Sequence, residues 1–244
     1  MEHQRQEWLL RKLVRVIVGS ALGASLALAL AGRLHAQAQP ASQRFDYLVR
    51  ADFFAGLAGD EARMKKAMDL CERTLADNPS HVEALVWHGS GLLAQSGAAF
   101  RKGDFGRGGM LWDRGLKEMN DAAAAAPDNV GVLIPRAATL LIATKNLPAE
   151  QARPLLESAV ANYERVLALQ APTFDALGDH PKGELLFGLA EGYHRLGDHA
   201  KARSYFERLV KDAPTSGQAA KAREWLATGK IPASGGAGCT GCHK

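Results

Sequence analysis

The residues of this chain that could do chemistry stand in one short stretch near its carboxyl end. Cys239 and Cys242 are three residues apart, and His243 follows the second cysteine directly. Two thiols at this spacing with an adjacent imidazole are the pattern of a c-type haem attachment site. Each sulfur can form a thioether to one vinyl group of the porphyrin, and the imidazole can bind the iron as an axial ligand. The sequence therefore predicts one covalent haem c.

Two other interpretations of the same stretch stay open. A cysteine pair at this spacing can form a disulfide or act as a redox dithiol. A zinc site would need a fourth ligand from elsewhere in the chain, because Cys239, Cys242 and His243 supply three. For a haem, the histidines nearest to the last helices are His180, His194 and His199. The sequence alone does not select any of them as the second axial ligand.

The amino-terminal segment bears on the same question, because haem attachment of this kind takes place after export. Residues 1–15 carry four basic side chains, an apolar run follows at 16–31, and Ala36 and Ala38 offer small residues for cleavage. This is the pattern of a secretory signal peptide over residues 1–38. An uncleaved membrane anchor is the alternative, although a span prefers about 20 apolar residues. We therefore expect a periplasmic or otherwise exported protein with no membrane span after cleavage.

Net charge argues against a nucleic-acid partner. The chain has 30 basic and 26 acidic residues, of which residues 1–38 hold five and two, so that the exported part carries a net charge of +1. A chain this close to neutral has no basic excess to attract a phosphate backbone. The sequence also contains no nucleophile elbow and no zinc-protease histidine pair, which leaves no signature of an enzyme.

The middle of the chain is patterned for α-helices. Alanine and leucine dominate, apolar residues recur at intervals of three and four, and no alternating β-branched run occurs. Prolines close apolar segments at Pro79, Pro127, Pro172 and Pro214, which are 48, 45 and 42 residues apart. Units of this length predict stacked antiparallel helix pairs. Nine helices are expected, near 44–57, 61–77, 80–99, 107–126, 130–145, 149–170, 183–196, 199–212 and 215–228.

The clearest unit runs from Glu184 to Pro214. Small and aromatic residues stand at characteristic offsets within it: Leu186, Leu189, Ala190, Tyr193, Gly197, Ala202, Phe206 and Pro214. This unit resembles a tetratricopeptide repeat (TPR). The upstream units match more loosely, and we expect them to carry insertions at 97–109 and 173–182. The resemblance implies an all-α fold, a TPR-like solenoid of about four antiparallel helix hairpins plus a C-terminal capping helix.

The domain organisation follows from these segments. After the signal peptide 1–38 we expect the TPR-like helical domain at 39–228, a flexible linker at 229–238 and the CxxCH tail at 239–244. In the TPR family the first helix of each pair lines a concave groove that binds peptides or proteins. Carried over to the clearest unit, the resemblance implies that five residues face this groove: Glu184, Phe187, Glu191, His194 and Arg195.

Together these features give a hypothesis about function. We expect an exported TPR-like protein-interaction module with a tethered c-type monohaem, serving in an envelope electron-transfer assembly. A protein or peptide partner would occupy the groove. The alternative is a non-catalytic periplasmic TPR scaffold or adaptor whose cysteine pair is a disulfide or dithiol.

Overall fold

The computed structural model describes residues 44–231, and all regular structure in that range is helical. Nine α-helices follow one another there: α1 (Phe45–Leu57), α2 (Glu61–Asp77), α3 (Val82–Arg101), α4 (Phe105–Ala125), α5 (Val130–Ala143), α6 (Ala149–Gln170), α7 (Asp179–Leu196), α8 (His199–Asp212) and α9 (Ala219–Thr228). Short 3-10 helices at Thr144–Asn146 and Ala171–Ala176 precede α6 and α7. The predicted all-α class is confirmed, whereas the predicted signal peptide and CxxCH tail lie outside the described residues. Among the helices described, none is both long and apolar enough to cross a membrane.

Three hairpins turn through the same dipeptide, a glycine followed by an aspartate. The pairs are Gly59-Asp60, Gly103-Asp104 and Gly197-Asp198. The glycines have φ values of 110°, 78° and 88°, a region that is costly for residues with a Cβ atom. Each aspartate accepts a hydrogen bond of 3.0 or 3.1 Å from the backbone N–H three residues later. The glycine ends the first helix, and the aspartate caps the second helix.

The second hairpin therefore has no insertion, and the loop expected at 97–109 was wrong. Helix α3 continues to Arg101 and α4 begins at Phe105, so that three residues form the turn. Three of the five glycines in that segment, Gly106, Gly108 and Gly109, lie inside α4. Gly108 is one of them, and the ring of Phe100 occupies the space that a Cβ atom would need there.

Two other helix boundaries differ from the sequence-based expectation. Helix α7 begins at Asp179 rather than at 183, and most of the segment 173–182 that was expected as an insertion is helical. Helix α9 begins at Ala219 rather than at 215, because the residues after Pro214 form a turn in which the Ser216 N–H donates to the Ala213 carbonyl.

The helices pack as stacked antiparallel pairs. The hairpins are α1–α2, α3–α4, α5–α6 and α7–α8, and α2, α6 and α8 each contact the helix that follows. The first helices α1, α3 and α5 also lie against one another in that order. The predicted solenoid of four hairpins is thus confirmed within residues 44–231, with α9 packed on α8 as the capping helix.

A single hydrophobic core runs through the stack from Phe45 to Trp225. Near its beginning, the rings of Phe53 and Trp87 join α1 to α3 with centroids 4.9 Å apart. At its end, the ring centroid of Trp225 in α9 lies 4.6 Å from that of Phe206 in α8, which is fully buried. Trp225 itself is 3% exposed. Helix α9 therefore covers the apolar surface that the last hairpin would otherwise leave open, as the end of any solenoid requires.

The close approach of α3 and α4 depends on two facing glycines. A Cβ atom on Gly115 would lie 2.7 Å from the Gly89 carbonyl oxygen, and a Cβ atom on Gly89 would lie 2.7 Å from the Gly115 carbonyl oxygen. Both contacts are to backbone, which cannot move aside as the end of a flexible side chain can. The two helices are therefore in backbone contact at this crossing.

We predict opposite effects for the same substitution at two positions of α4. Gly115→Ala should lower the free energy of unfolding by about 1–3 kcal/mol, because it forces the helices apart. Gly109→Ala should raise the free energy of unfolding by about 0.5–1 kcal/mol through helix propensity, since nothing lies within 4 Å of its added Cβ atom. Urea denaturation followed by far-UV circular dichroism measures both changes, and equal effects would contradict the close crossing.

Candidate functional site

The predicted haem ligands Cys239, Cys242 and His243 lie outside the described residues, but the structure describes where the chain leads toward them. Helix α9 ends at Thr228 and is capped by Gly229, which has a φ of 72° and donates its N–H to the Trp225 carbonyl at 2.7 Å. Ile231, the last described residue, packs against the core. The first three residues of the linker expected at 229–238 therefore belong to the folded domain.

Within residues 44–231 the structure shows neither a reactive thiol nor a cluster of metal ligands. Cys71, the cysteine of that range, is 1% exposed, and burial raises the pKa of its thiol to about 12. A thiol with so high a pKa is not a nucleophile at neutral pH. No group of three or more His, Cys, Asp or Glu side chains within the described range could hold a metal ion.

Phe187, one of the five predicted groove residues, is placed in the core. Its side chain is 9% exposed, and its ring packs edge-on against Phe206 with centroids 5.8 Å apart. From α9, the Lys221 ammonium lies 5.5 Å from the centre of the same ring. The expectation came from the pattern of an isolated repeat, which has no helix at the position of α9. In this chain α9 covers Phe187.

Arg195 is also committed to the fold. Its guanidinium donates to the Leu141 carbonyl at 2.6 Å and to the Thr144 hydroxyl at 2.8 Å, and so binds the C-terminal end of α5. A cation at this end of a helix satisfies carbonyls that have no partner within the helix. Glu191 lies 3.9 Å from the same guanidinium. Arg195 therefore fastens the fourth hairpin to the third.

Glu184 and Glu191 are seven residues apart on α7 and so share one face of the helix. Glu184 accepts a hydrogen bond of 2.8 Å from the Gln218 side chain, just before α9 begins. Both carboxylates are partly exposed. Of the five predicted groove residues, these two give the first helix of the fourth hairpin an acidic surface.

An apolar stripe on α5 was not anticipated from the sequence. Ile134, Ala138 and Ile142 recur every four residues, and Ile142 is 48% exposed. Residues at this spacing line one face of a helix, and α5 contacts α7 directly. The spacing was visible in the sequence, but most of α5 is apolar, so that its buried and uncovered faces could not be told apart.

The remaining predicted groove residue, His194, lies against the capping helix. Its Nδ1 accepts a hydrogen bond of 3.3 Å from Trp225 Nε1, and its ring centroid lies 5.2 Å from that of His199. Burial, together with the neighbouring His199, lowers the pKa of His194. We name His194, His199 and Trp225 the α7–α9 cluster.

This lowered pKa predicts a pH dependence of stability. An imidazole whose pKa is lower in the folded protein than in the unfolded chain, about 6.5, stabilises the fold at higher pH. The free energy of unfolding should therefore fall as the pH drops below about 6.5. His194→Gln, which keeps an acceptor for Trp225, should reduce this fall. Urea denaturation at several pH values tests the expectation, and an unchanged pH dependence in the variant would assign the effect to other groups.

The comparisons with known proteins agree with this geometry. A family model described as tetratricopeptide repeat matches residues 184–216, a range that covers most of α7, all of α8 and the turn toward α9. A comparison with curated proteins gives no match. The matched segment is thus similar to a tetratricopeptide repeat, a unit that supports a protein-interaction module, and the described hairpins stack as such repeats do.

Proposed function

We propose that the chain is an exported protein-interaction module that carries one covalent haem c and serves in an envelope electron-transfer assembly. The observation that carries the proposal is the spacing of Cys239, Cys242 and His243 in a chain whose residues 1–38 have the pattern of an export signal. The repeat match at 184–216 supports the interaction part of the proposal.

The donor set suits the group chemically. Two thiols three residues apart can each form a thioether with one of the two vinyl groups of a porphyrin, and the adjacent imidazole can reach its iron. The haem, once bound, would supply one-electron transfer. The chain would supply its attachment through Cys239 and Cys242, an axial nitrogen through His243, and a folded domain that brings the group to a partner.

The tether would keep the haem close to the helical domain. Seven residues, 232–238, separate the packed Ile231 from Cys239. Their composition is rich in glycine and small residues, for which the root-mean-square reach over eight bonds is about 15 Å. A group held on so short a linker has an effective concentration in the millimolar range. Weak docking of the haem on the domain, or on a bound partner, would therefore be populated.

The surface formed by α5 and α7 has features that would suit a peptide or protein partner. The α5 stripe offers apolar surface, and Glu184 and Glu191 on the neighbouring α7 add negative charge. A segment that combines apolar with basic side chains would complement both features. The first helices of the hairpins lie side by side, so that such a segment could contact several of them at once.

We predict that the chain expressed with its leader and a cytochrome c maturation system acquires one haem that survives denaturation. Mass spectrometry of the intact protein and peroxidase staining of a denaturing gel measure this directly. Replacing both cysteines, as Cys239→Ala with Cys242→Ala, should abolish the stained band while leaving helix content unchanged. A colourless wild-type protein with two titratable thiols at these positions would instead support the dithiol scaffold.

We also predict that a charge on the α5 stripe weakens partner binding. A photo-crosslinking residue at position 138 should trap a partner in the exported fraction, and Ile142→Glu should reduce the yield at least several-fold. Phe105→Glu is the matched control, because Phe105 is 72% exposed but lies at the start of α4 rather than on the stripe. Equal loss of crosslinking in both variants would argue against the groove.

A further inference from the structure

The α3–α4 hairpin projects past the first helices on either side of it. Phe53 of α1 lies beside Trp87 of α3; α1 ends four residues after Phe53, whereas α3 continues for 14 residues after Trp87, to Arg101. The difference of ten residues is about 15 Å of helix. On the other side, Asn129 at the start of α5 donates to Glu83 of α3 at 3.3 Å. Helix α5 ends 14 residues after the first and α3 ends 18 residues after the second, a difference of about 6 Å. We name residues 100–110, at this projecting end, the hairpin tip.

The hairpin tip carries three large apolar side chains that the fold does not bury. Phe105 is 72% exposed, Met110 is 69% exposed and Phe100 is 37% exposed. The rings of Phe100 and Phe105, from the two helices of the hairpin, lie together with centroids 6.3 Å apart. A cluster of exposed apolar side chains marks a contact with another molecule or with a membrane.

The outer face of α4 is bare between two of these side chains. Successive residues of a helix are about 100° apart, which places Gly106 and Gly109 between Phe105 and Met110. Packing requires neither glycine, since nothing lies within 4 Å of an added Cβ atom at either position. Glycine inside a helix costs stability. Here it leaves a smooth backbone surface, which lets the two apolar side chains reach a flat partner together.

Three cations surround the same apolar cluster: Arg101, Lys102 and Arg107. All three are exposed, and none forms an ion pair with a residue of the described range. Further along α4, by contrast, Arg114 and Lys117 each bind the acidic side chain four residues later. With three basic residues and the one aspartate of the turn, the hairpin tip carries a net charge of +2. Its charge therefore complements an anionic surface.

We propose that the hairpin tip docks the protein on an anionic lipid bilayer. Phe100, Phe105 and Met110 enter the boundary between headgroups and acyl chains, and the three cations bind lipid phosphates. The long stems of arginine and lysine let the charged groups stay at the headgroups while the apolar side chains go deeper. Asp113, exposed two turns after Phe105 on α4, limits the depth because anionic headgroups repel it.

Two features favour a bilayer over a protein partner at this place. The hairpin tip is convex, so that a protein partner would need a pocket shaped for Phe105, whereas a bilayer adapts to any projecting end. The unpaired charges of the tip have one sign, which suits a surface of uniform charge. The inference goes beyond the proposed function and does not require the haem, since all the residues that carry it belong to α3, α4 and the turn between them.

The test uses the full chain purified from the exported fraction and two kinds of vesicle, phosphatidylcholine alone and an equal mixture with phosphatidylglycerol. We expect the protein to float with the anionic vesicles, to be released as salt is added, and to bind the neutral vesicles weakly. Phe105→Ser and Arg107→Glu should each lower the bound fraction at least several-fold. The new carboxylate of Arg107→Glu lies in the first turn of α4, where the helix dipole favours it. Arg73→Glu is the matched control and should bind as the wild type does, because Arg73 is an exposed arginine on α2 with no ion pair among the described residues.

Insertion of the ring at position 105 has a readout of its own. Phe105→Trp should still float with anionic vesicles, and lipids brominated on their acyl chains should quench the fluorescence of the added indole. The two surfaces of the protein should also be separable. Ile142→Glu, which changes the α5 stripe, should float as the wild type does, whereas Phe105→Glu should lose flotation and keep crosslinking from position 138.

The remaining outcomes would overturn the proposal. One is a wild type that does not float with anionic vesicles. Another is an equal loss of binding in Arg107→Glu and Arg73→Glu, which would assign the attraction to net charge alone. Flotation that persists in Phe105→Ser would contradict insertion. Self-association that Phe105→Ser abolishes, without vesicle binding, would give the hairpin tip to a second copy of the chain. Circular dichroism of each variant, expected to match the wild type, excludes misfolding as the cause.

Discussion

Each hairpin in residues 44–231 leaves apolar surface that only the neighbouring element of the stack covers, and this constraint organises the whole stack. No hairpin has a core of its own. The buried residues form one cluster that continues from α1 to α9, so that each unit is stabilised by its neighbours. The exposed end of such a stack costs free energy, because its apolar surface would face water. Trp225 ends the series by covering Phe206 and the last turn of α7.

The same capping contact has a second consequence. Trp225 in the last turn of α9 bonds to His194 in the last turn of α7, so that the end of α9 lies at the edge where α7 and α8 meet. Arg195 fixes this edge to the third hairpin through Leu141 and Thr144. Contacts from the third hairpin, the fourth hairpin and the capping helix therefore hold this edge together.

Much of the fold could be predicted from the sequence because its local signals agree with its packing. The prolines at 79, 127 and 214 mark the ends of second helices, and the apolar periodicity gives the helices between them. The expectation failed at 97–109, where five glycines were interpreted by composition alone. The Gly103-Asp104 pair there repeats the Gly197-Asp198 turn of the clearest unit, and comparing the two would have placed the turn correctly.

The site was less predictable, because its contacts join residues that are far apart in the chain. His194 and Trp225 are separated by 31 residues, and nothing in the sequence indicates that their side chains form a hydrogen bond. For the same reason Phe187 was expected in the groove. Periodicity places it on a particular side of α7, but only the position of α9 decides whether that side is covered.

The uncovered faces of α5 and α7 belong to the first helices of their hairpins, whereas the α7–α9 cluster lies at a hairpin turn. Arg195 belongs to both regions, since it is one turn from Glu191 on α7 and binds the end of α5 that carries Ile142. A partner that displaces α5 would therefore act on the end of α7 next to His194, which gives a physical route by which binding in the groove could alter the contact between α7 and the capping helix.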